Sequence, residues 1–163
     1  MMRLTPPLML AGLLAAGSGP LIFALSAQYL GGLEPCVLCQ YQRIPYATVM
    51  ALALTGLLVS SADRRGIFLV AAGVLSAGAL LALYHYGVEQ HWWVSAARCG
   101  AGATQTNSFE AFRATALKPL PKACDDVGWA LFGHSITVYN AAVSLALAGA
   151  AAFAARRIKA GAN

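Results

Sequence analysis

Four long stretches of this sequence contain no Asp, Glu, Lys or Arg, and they constrain the fold more than any other feature. Each can supply the ~20 consecutive apolar residues that a membrane-spanning helix needs. A transmembrane β-barrel would instead show short segments of alternating apolar and polar residues. We therefore predict an all-α membrane protein whose four transmembrane helices form a bundle. The predicted helices lie at about 8–30, 41–61, 67–88 and 130–154.

The composition supports this class of fold. Of the 163 residues, 59% are hydrophobic and only 10% are charged. A soluble globular domain usually has about 25% charged residues. A chain of this length is expected to form one domain, so we treat residues 1–163 as a single integral membrane domain.

The first apolar run has an alternative interpretation as a secretory signal peptide. Arg3 precedes the run, and small residues surround a possible cleavage site at Ala24-Leu25-Ser26. The apolar core of a signal peptide is usually ~7–15 residues long, and the stretch from Leu8 to Leu30 is longer. We expect this helix to be retained.

The basic residues predict the orientation, because Lys and Arg accumulate in loops on the cytoplasmic side. Both termini and a short loop at about 62–66 are then cytoplasmic, and the loops at about 31–40 and 89–129 lie on the outer side. The residues that this places inside are Arg3, Arg64, Arg65, Arg156, Arg157 and Lys159.

The net charge of +5 follows from this topology. In the long outer loop the basic residues are matched by an equal number of acidic ones. The basic residues form no stripe with interleaved aromatic residues, so the sequence predicts no nucleic-acid binding. The loop residues concerned are Arg98, Arg113, Lys118 and Lys122, with Glu89, Glu110, Asp125 and Asp126.

All four cysteines fall on the outer side in this topology, which indicates an oxidising compartment. In a bacterium that compartment is the periplasm. Four cysteines allow three pairings, and two structural disulfides are one interpretation. A zinc site is another, although only Cys36 and Cys39 have the close spacing of a zinc knuckle, and Cys99 and Cys124 do not. Covalent haem attachment would require His where Gln40 follows the second cysteine.

The Cys-x-x-Cys pair stands at the start of the second predicted helix, in the segment EPCVLCQYQR. Helix N-termini stabilise a thiolate, since their backbone N–H groups are unpaired and partly positive. Arg43 follows Cys39 by four residues and would lie one turn deeper on the same face. A permanent cation beside a thiolate suits redox chemistry. The alternative for Arg43 is a snorkelling side chain that anchors the helix among lipid headgroups.

The motifs CVLCQYQR, YHYGVE and NSFEAF, together with a cysteine pair in the long outer loop, resemble the DsbB disulfide-bond formation proteins of bacterial inner membranes. This resemblance implies a partner and a cofactor. A periplasmic thiol oxidase of the DsbA type would give its electrons to this protein, which would pass them to ubiquinone or menaquinone. It also implies two redox-active disulfides, Cys99–Cys124 facing the partner and Cys36–Cys39 next to the quinone.

In this scheme Cys39 would donate electrons to quinone as a thiolate, and Arg43 would polarise a quinone carbonyl oxygen. Cys36 would exchange with the outer pair. His85 and His91 lie near the outer interface, and either could donate a hydrogen bond or a proton to a reduced quinone, although an isolated interfacial histidine is more often structural. His134 has no assigned role.

The long outer loop divides into two parts by composition. Residues 100–107 are rich in Gly, Ala and Thr, which indicates flexible chain. Residues 108–117 have apolar residues at roughly helical spacing, which predicts a short interfacial helix ended by Pro119 and Pro121. An ordinary loop helix packed on the bundle is the alternative to one that lies in the membrane surface.

A different class of function remains open from the sequence. The protein could be a disulfide-stapled or metal-binding membrane scaffold, or a small transporter. That alternative predicts no cofactor and no turnover of the disulfides, whereas the oxidoreductase requires both.

Overall fold

The computed structural model describes residues 5–59, 63–97 and 122–158. The described chain is mostly helical, as predicted for a helical membrane protein. Its elements are α1 (Pro6–Tyr29), α2 (Val37–Tyr41), α3 (Arg43–Leu58), α4 (Arg64–Glu89), β1 (Ala130–Leu131), β2 (His134–Ser135) and α5 (Ile136–Arg157).

Within these described ranges, three helices are long and apolar enough to cross a membrane. They are α1, α4 and α5, with 24, 26 and 22 residues. The predicted second span at 41–61 corresponds mainly to α3, which has 16 residues. At 1.5 Å per residue α3 is roughly 24 Å long, less than the ~30 Å hydrocarbon core. The fourth transmembrane helix therefore stays a prediction.

The predicted second helix is divided at Gln42, which separates α2 from α3. The N–H of Gln42 still bonds to the carbonyl of Leu38, at 3.1 Å. Pro45 has no N–H to donate to the carbonyl of Tyr41, so the helical ladder is interrupted there. The short α2 thus carries Cys39, with Cys36 as its N-cap residue, directly before α3.

The apolar core lies between α1, α3, α4 and α5, where α1 packs on α3 and α4 packs on α5. Its most buried members include Leu10, Val49 and Leu75. Gly17 allows a close approach of α1 to α3, since a Cβ at this position would lie 2.9 Å from the carbonyl oxygen of Tyr46. Close packing at this point holds the cysteine-bearing α2–α3 segment against α1.

The last helix begins at Ile136, later than the predicted start at about 130. The residues before it form a hairpin in which β1 pairs antiparallel with β2. The turn consists of Phe132 and Gly133, which both have positive φ (49° and 79°), as two-residue hairpin turns require. The Ser135 side chain accepts a hydrogen bond from the N–H of Thr137 and so caps α5.

Several predictions lie outside the described residues. They are the flexible segment at 100–107, the interfacial helix at 108–117 and the position of Cys99.

Candidate active site

Cys36 is the N-cap residue of α2, and its sulfur faces the first turn of that helix. The sulfur accepts a hydrogen bond from the backbone N–H of Cys39 at 3.2 Å. The two sulfurs are hydrogen-bonded at 2.9 Å. Both cysteines are free thiols here. The Cys36–Cys39 disulfide stays a prediction, although the two sulfurs are adjacent.

The two thiols have opposite acidities. The hydrogen bond with the Cys39 side chain lowers the pKa of Cys36 most, and a hydrogen bond with His85 lowers it further, against the effect of burial. The hydrogen bond with Cys36 and burial raise the pKa of Cys39. These contacts favour Cys36 as the thiolate, whereas the sequence interpretation assigned it to Cys39. The main cause is the hydrogen bond with the Cys39 side chain, and the contact with His85 and the backbone hydrogen bond from Cys39 act in the same direction.

His85 is buried in α4, with 2% of its surface exposed, and lies directly beside this pair. Its Nε2 is 3.5 Å from the sulfur of Cys36 and 3.2 Å from the carbonyl oxygen of Cys124. One ligand atom from each of Cys36, His85 and Cys124 falls within 4.8 Å of the others. The fold thus brings together three predicted site residues from distant parts of the sequence.

Cys124 is fully buried and disulfide-bonded. Its predicted partner Cys99 lies outside the described residues, so the Cys99–Cys124 pairing stays a prediction. A disulfide sulfur is not a thiolate and is a poor metal ligand. The cluster of Cys36, His85 and Cys124 is therefore better suited to thiol–disulfide exchange than to holding a metal ion.

Arg43 is the first residue of α3, one turn after Cys39. It does not extend freely toward lipid headgroups, because its Nη1 donates a hydrogen bond to Oε1 of Gln28 on α1, at 2.7 Å. Cys39 and Arg43 both line a cavity of about 510 Å³ between α1, α3 and α5. The sequence interpretation paired these two residues, and the structure places them on one surface.

The cavity has the chemistry of a site for a largely apolar small molecule. Pro20, Phe23 and Val143 contribute apolar walls, and the lining also includes a few polar groups such as His85 and Asn140. Its volume lies within the ~300–1,000 Å³ of typical small-molecule sites. Among the described residues that line it, His85 is present and His91 is not. His91 is exposed just beyond the end of α4, and His134 is exposed on β2.

Three residues of this site were not foreseen from the sequence: Gln42, Glu89 and Asn140. Glu89 is 7% exposed and accepts hydrogen bonds from the hydroxyls of Ser135 at 2.8 Å and Thr137 at 2.5 Å. Its carboxylate is 4.0 Å from Nε2 of His85, four residues earlier in the same helix. That spacing, with Glu89 directly after an apolar run that contains His85, was the available signal for Glu89. Gln42 lies in the CVLCQYQR motif, but no role was predicted for it, and the sequence contained no comparable signal for Asn140.

A helical membrane protein with a pair of free thiols, one of them beside a buried imidazole and a disulfide-bonded cysteine, has the site of a membrane thiol–disulfide oxidoreductase. Residues 6–154 match the family described as Disulfide bond formation protein DsbB, and the chain belongs to this family. The chain is therefore a membrane protein that functions in disulfide formation, as the sequence motifs predicted.

Individual relatives agree with this family. The chain is 32% identical over 141 residues to the Disulfide bond formation protein B of Xanthomonas campestris pv. campestris, covering 80% of this chain and 78% of the relative. An uncharacterized protein of Rickettsia prowazekii is 27% identical over 132 residues, covering 77% and 76%. A probable disulfide formation protein C of Bacillus cereus is 37% identical over 94 residues, covering 55% and 65%. No solved structure matches the chain significantly.

Proposed function

We propose that this protein reoxidises a periplasmic thiol oxidase of the DsbA type and passes the electrons to a membrane quinone. The observation that carries the proposal is the distance between Cys36 and Cys124, whose sulfurs lie within 4.8 Å. Cys36 also contacts Cys39, which lines the large cavity. A continuous route for electrons thus leads from the outer disulfide to a site suited to quinone.

The inward transfer takes two exchange reactions. The partner dithiol first reduces the outer disulfide to the thiols of Cys99 and Cys124. The Cys124 thiolate then attacks Cys36 of the inner disulfide, and Cys39 leaves as a thiolate. Cys99 attacks Cys124 in turn, which re-forms the outer disulfide and releases Cys36 as a thiolate. Free inner thiols with a bonded Cys124 correspond to the state after this step.

The surroundings of Cys36 support its role in the exchange. A thiolate leaves more readily when its pKa is low, and contacts with Cys39 and His85 lower the pKa of Cys36. Cys36 therefore acts as a good leaving group inside the protein.

The cavity beside Cys39 fits the electron acceptor. Ubiquinone or menaquinone bound there would take up two electrons and two protons. Arg43 would hold the polar edge of the ring, since a guanidinium favours a carbonyl oxygen on which negative charge develops. Gln28 fixes the direction of Arg43 through its hydrogen bond. His85, which also lines the cavity, offers a further polar contact.

The proposed location is the bacterial inner membrane, with the site on the periplasmic side and both termini in the cytoplasm. Arg64 and Arg65 begin α4, and His85 is near its other end. In α5 the order is reversed, since Ser135 is near the site and Arg156 and Arg157 lie in the last turn. The basic ends of both helices thus point away from the cysteines, as the rule for cytoplasmic loops predicts.

The test uses the purified protein in detergent with a reduced DsbA-type partner and added quinone. Quinone absorbance and partner oxidation are followed together. One quinone reduced per partner disulfide formed supports the proposal. A disulfide-stapled scaffold or transporter would leave the partner reduced and the quinone oxidised, and that result contradicts it.

A further inference from the structure

A chain of hydrogen bonds leads away from His85 through the interior of the bundle. Nδ1 of His85 is 2.7 Å from Nε2 of Gln42. The Oε1 atom of Gln42 accepts a hydrogen bond from Nδ2 of Asn140. The Tyr46 hydroxyl donates to Oδ1 of Asn140 at 2.6 Å and is 2.7 Å from the hydroxyl of Ser144. The chain joins α4 to α3 and α5.

The other ring nitrogen of His85 determines the direction of the whole chain. Nε2 faces the carbonyl oxygen of Cys124 at 3.2 Å, and a carbonyl oxygen can only accept a hydrogen bond. Nε2 must therefore carry a proton. In the neutral imidazole Nδ1 is then an acceptor, so Gln42 must present its amide NH₂ group to it.

The remaining orientations follow in the same way. Because the NH₂ group of Gln42 donates to His85, only the oxygen of Gln42 is left to contact Asn140. The NH₂ group of Asn140 must therefore donate that hydrogen bond. The Asn140 oxygen then faces the Tyr46 hydroxyl, and Tyr46 donates its proton there and accepts from Ser144. With the proton of His85 on Nε2, each amide can make all these bonds in one orientation only.

We propose that Gln42 and Asn140 are positioning residues that hold His85 in the tautomer with its proton on Nε2, so that this N–H stabilises the Cys36 thiolate during exchange. The exchange reaction in this inference rests on the proposed function, whereas the tautomer of His85 does not. Gln42 is 7% exposed and contacts Nδ1 of His85, whereas Cys36 is near the other ring nitrogen, Nε2. Neither amide touches the reacting sulfurs in the contacts described here.

The other charged and titratable groups around Cys36 come from several elements. Cys39 lies on α2, Cys124 precedes the hairpin, and Glu89 of α4 lies 4.0 Å from His85. Glu34 and Lys122 line a small cavity that reaches Cys36. The test compares variants that leave every one of these groups unchanged.

The first experiment observes the tautomer directly by ¹⁵N NMR of histidine-labelled full-length protein in detergent. The His85 signals are assigned by their loss in His85→Ala. The parent protein should show a protonated Nε2 and an unprotonated Nδ1. In Asn140→Asp, residue 140 offers only acceptors, so Gln42 must turn its NH₂ group toward it and its oxygen toward His85. Protonation should then appear on Nδ1.

The second experiment measures the reactivity of Cys36 with an uncharged variant. Reduced protein is treated briefly with iodoacetamide across a pH series, and alkylation at Cys36 is read by mass spectrometry. Asn140→Leu leaves Gln42 without its fixed orientation. At a pH below the half-titration of Cys36, the fraction of Cys36 present as thiolate should then fall roughly tenfold. Losing one charge-assisted hydrogen bond has an effect of this size. Gln40→Leu, at an exposed position of α2, is the matched control and should behave as the parent.

Either of two results would overturn the inference. One is a parent spectrum in which Nδ1 of His85 carries the proton, a result that requires no variant to fold. The other is an Asn140→Leu profile identical to that of the parent. Both experiments omit quinone and partner, so their failure is distinct from a failure of quinone reduction in the parent protein.

Discussion

Arg43 donates a hydrogen bond to Gln28 at 2.7 Å, and this contact joins the start of α3 to α1 at the wall of the cavity. An arginine that only anchored a helix in headgroups would not need a fixed partner on another helix. The contact instead aims a guanidinium along the surface that also carries Cys39. This contact supports the hypothesis that Arg43 faces a quinone over the hypothesis that it anchors the helix in headgroups.

We predict that Arg43→Lys slows quinone reduction by roughly ten- to a hundredfold, because lysine keeps the charge but loses the planar fork. Gln28→Leu should weaken the same step by less. Both are measured over a range of quinone concentrations, with partner oxidation followed separately in a single turnover. Arg65→Lys is the control, because Arg65 is exposed and lies at the end of α4 opposite to His85. Unchanged quinone kinetics in both Arg43→Lys and Arg43→Gln would return Arg43 to the anchoring role.

We predict that Cys36 reacts with iodoacetamide at mildly acidic pH while Cys39 does not. The contacts that lower the pKa of Cys36 stabilise its thiolate in the folded protein. For a group with a lowered pKa, the stabilisation is complete above the pKa of the unfolded thiol. It is lost as the pH falls through the lower folded-state value. Mass spectrometry of pulse-alkylated protein separates the two residues. Alkylation of Cys36 that began only near the ordinary thiol value of 9.0 would contradict the assignment.

We predict that Glu89→Leu lowers the free energy of unfolding by about 1–3 kcal/mol, because it leaves the buried hydroxyls of Ser135 and Thr137 without their acceptor. Glu89→Gln should cost less, since one oxygen remains to accept. The measurement is thermal or denaturant unfolding in detergent. Glu34→Gln, at an exposed position, serves as the control and should leave stability unchanged. Equal stability of Glu89→Leu and the parent would show that these hydrogen bonds contribute nothing.

We predict that Gly17→Val destabilises the bundle by about 1–3 kcal/mol, the usual cost of overpacking. A Cβ at Gly17 would lie 2.9 Å from the Tyr46 carbonyl and 3.0 Å from the Met50 nitrogen, and backbone atoms cannot easily move away. Gly12 lies on the same helix with no atom within 4 Å of its built Cβ. Gly12→Val should therefore have little effect. Similar losses in the two variants would point to helix propensity and not to the contact between α1 and α3.

Much of this structure could be predicted from the sequence, because the free energy of transfer from water to lipid depends on composition. Runs without charge predicted α1, α4 and α5, and the CVLCQYQR segment predicted the family. The break at Gln42 was not predicted, although Pro45 was visible, because proline near the start of a helix is usually tolerated. The hairpin before α5 depends on the positive φ of Phe132, which is rare for such a residue.

The polar interior of the site was harder to foresee. Hydropathy places Gln42 and Glu89 at helix ends, where polar residues are ordinarily solvated, and Asn140 within the last predicted helix. Their positions in the site result from pairings between residues far apart in sequence, such as Tyr46 with Asn140 and Ser144. Such pairings depend on which helix faces meet, and a single sequence does not specify this. His85 was predicted near the outer interface, but its contact with Cys36 appeared only in three dimensions.

The most direct test asks whether Cys36 or Cys39 forms the faster disulfide with Cys124. In the double variant Cys39→Ser, Cys99→Ser only Cys36 and Cys124 remain, and mild oxidation should join them quickly, because their sulfurs lie within 4.8 Å. The matched variant Cys36→Ser, Cys99→Ser retains Cys39 and Cys124 and should form its bond much more slowly. Nonreducing peptide mapping over time measures both rates. A fast Cys36–Cys124 bond is the predicted result, and a faster Cys39–Cys124 bond would contradict the proposed path of electrons.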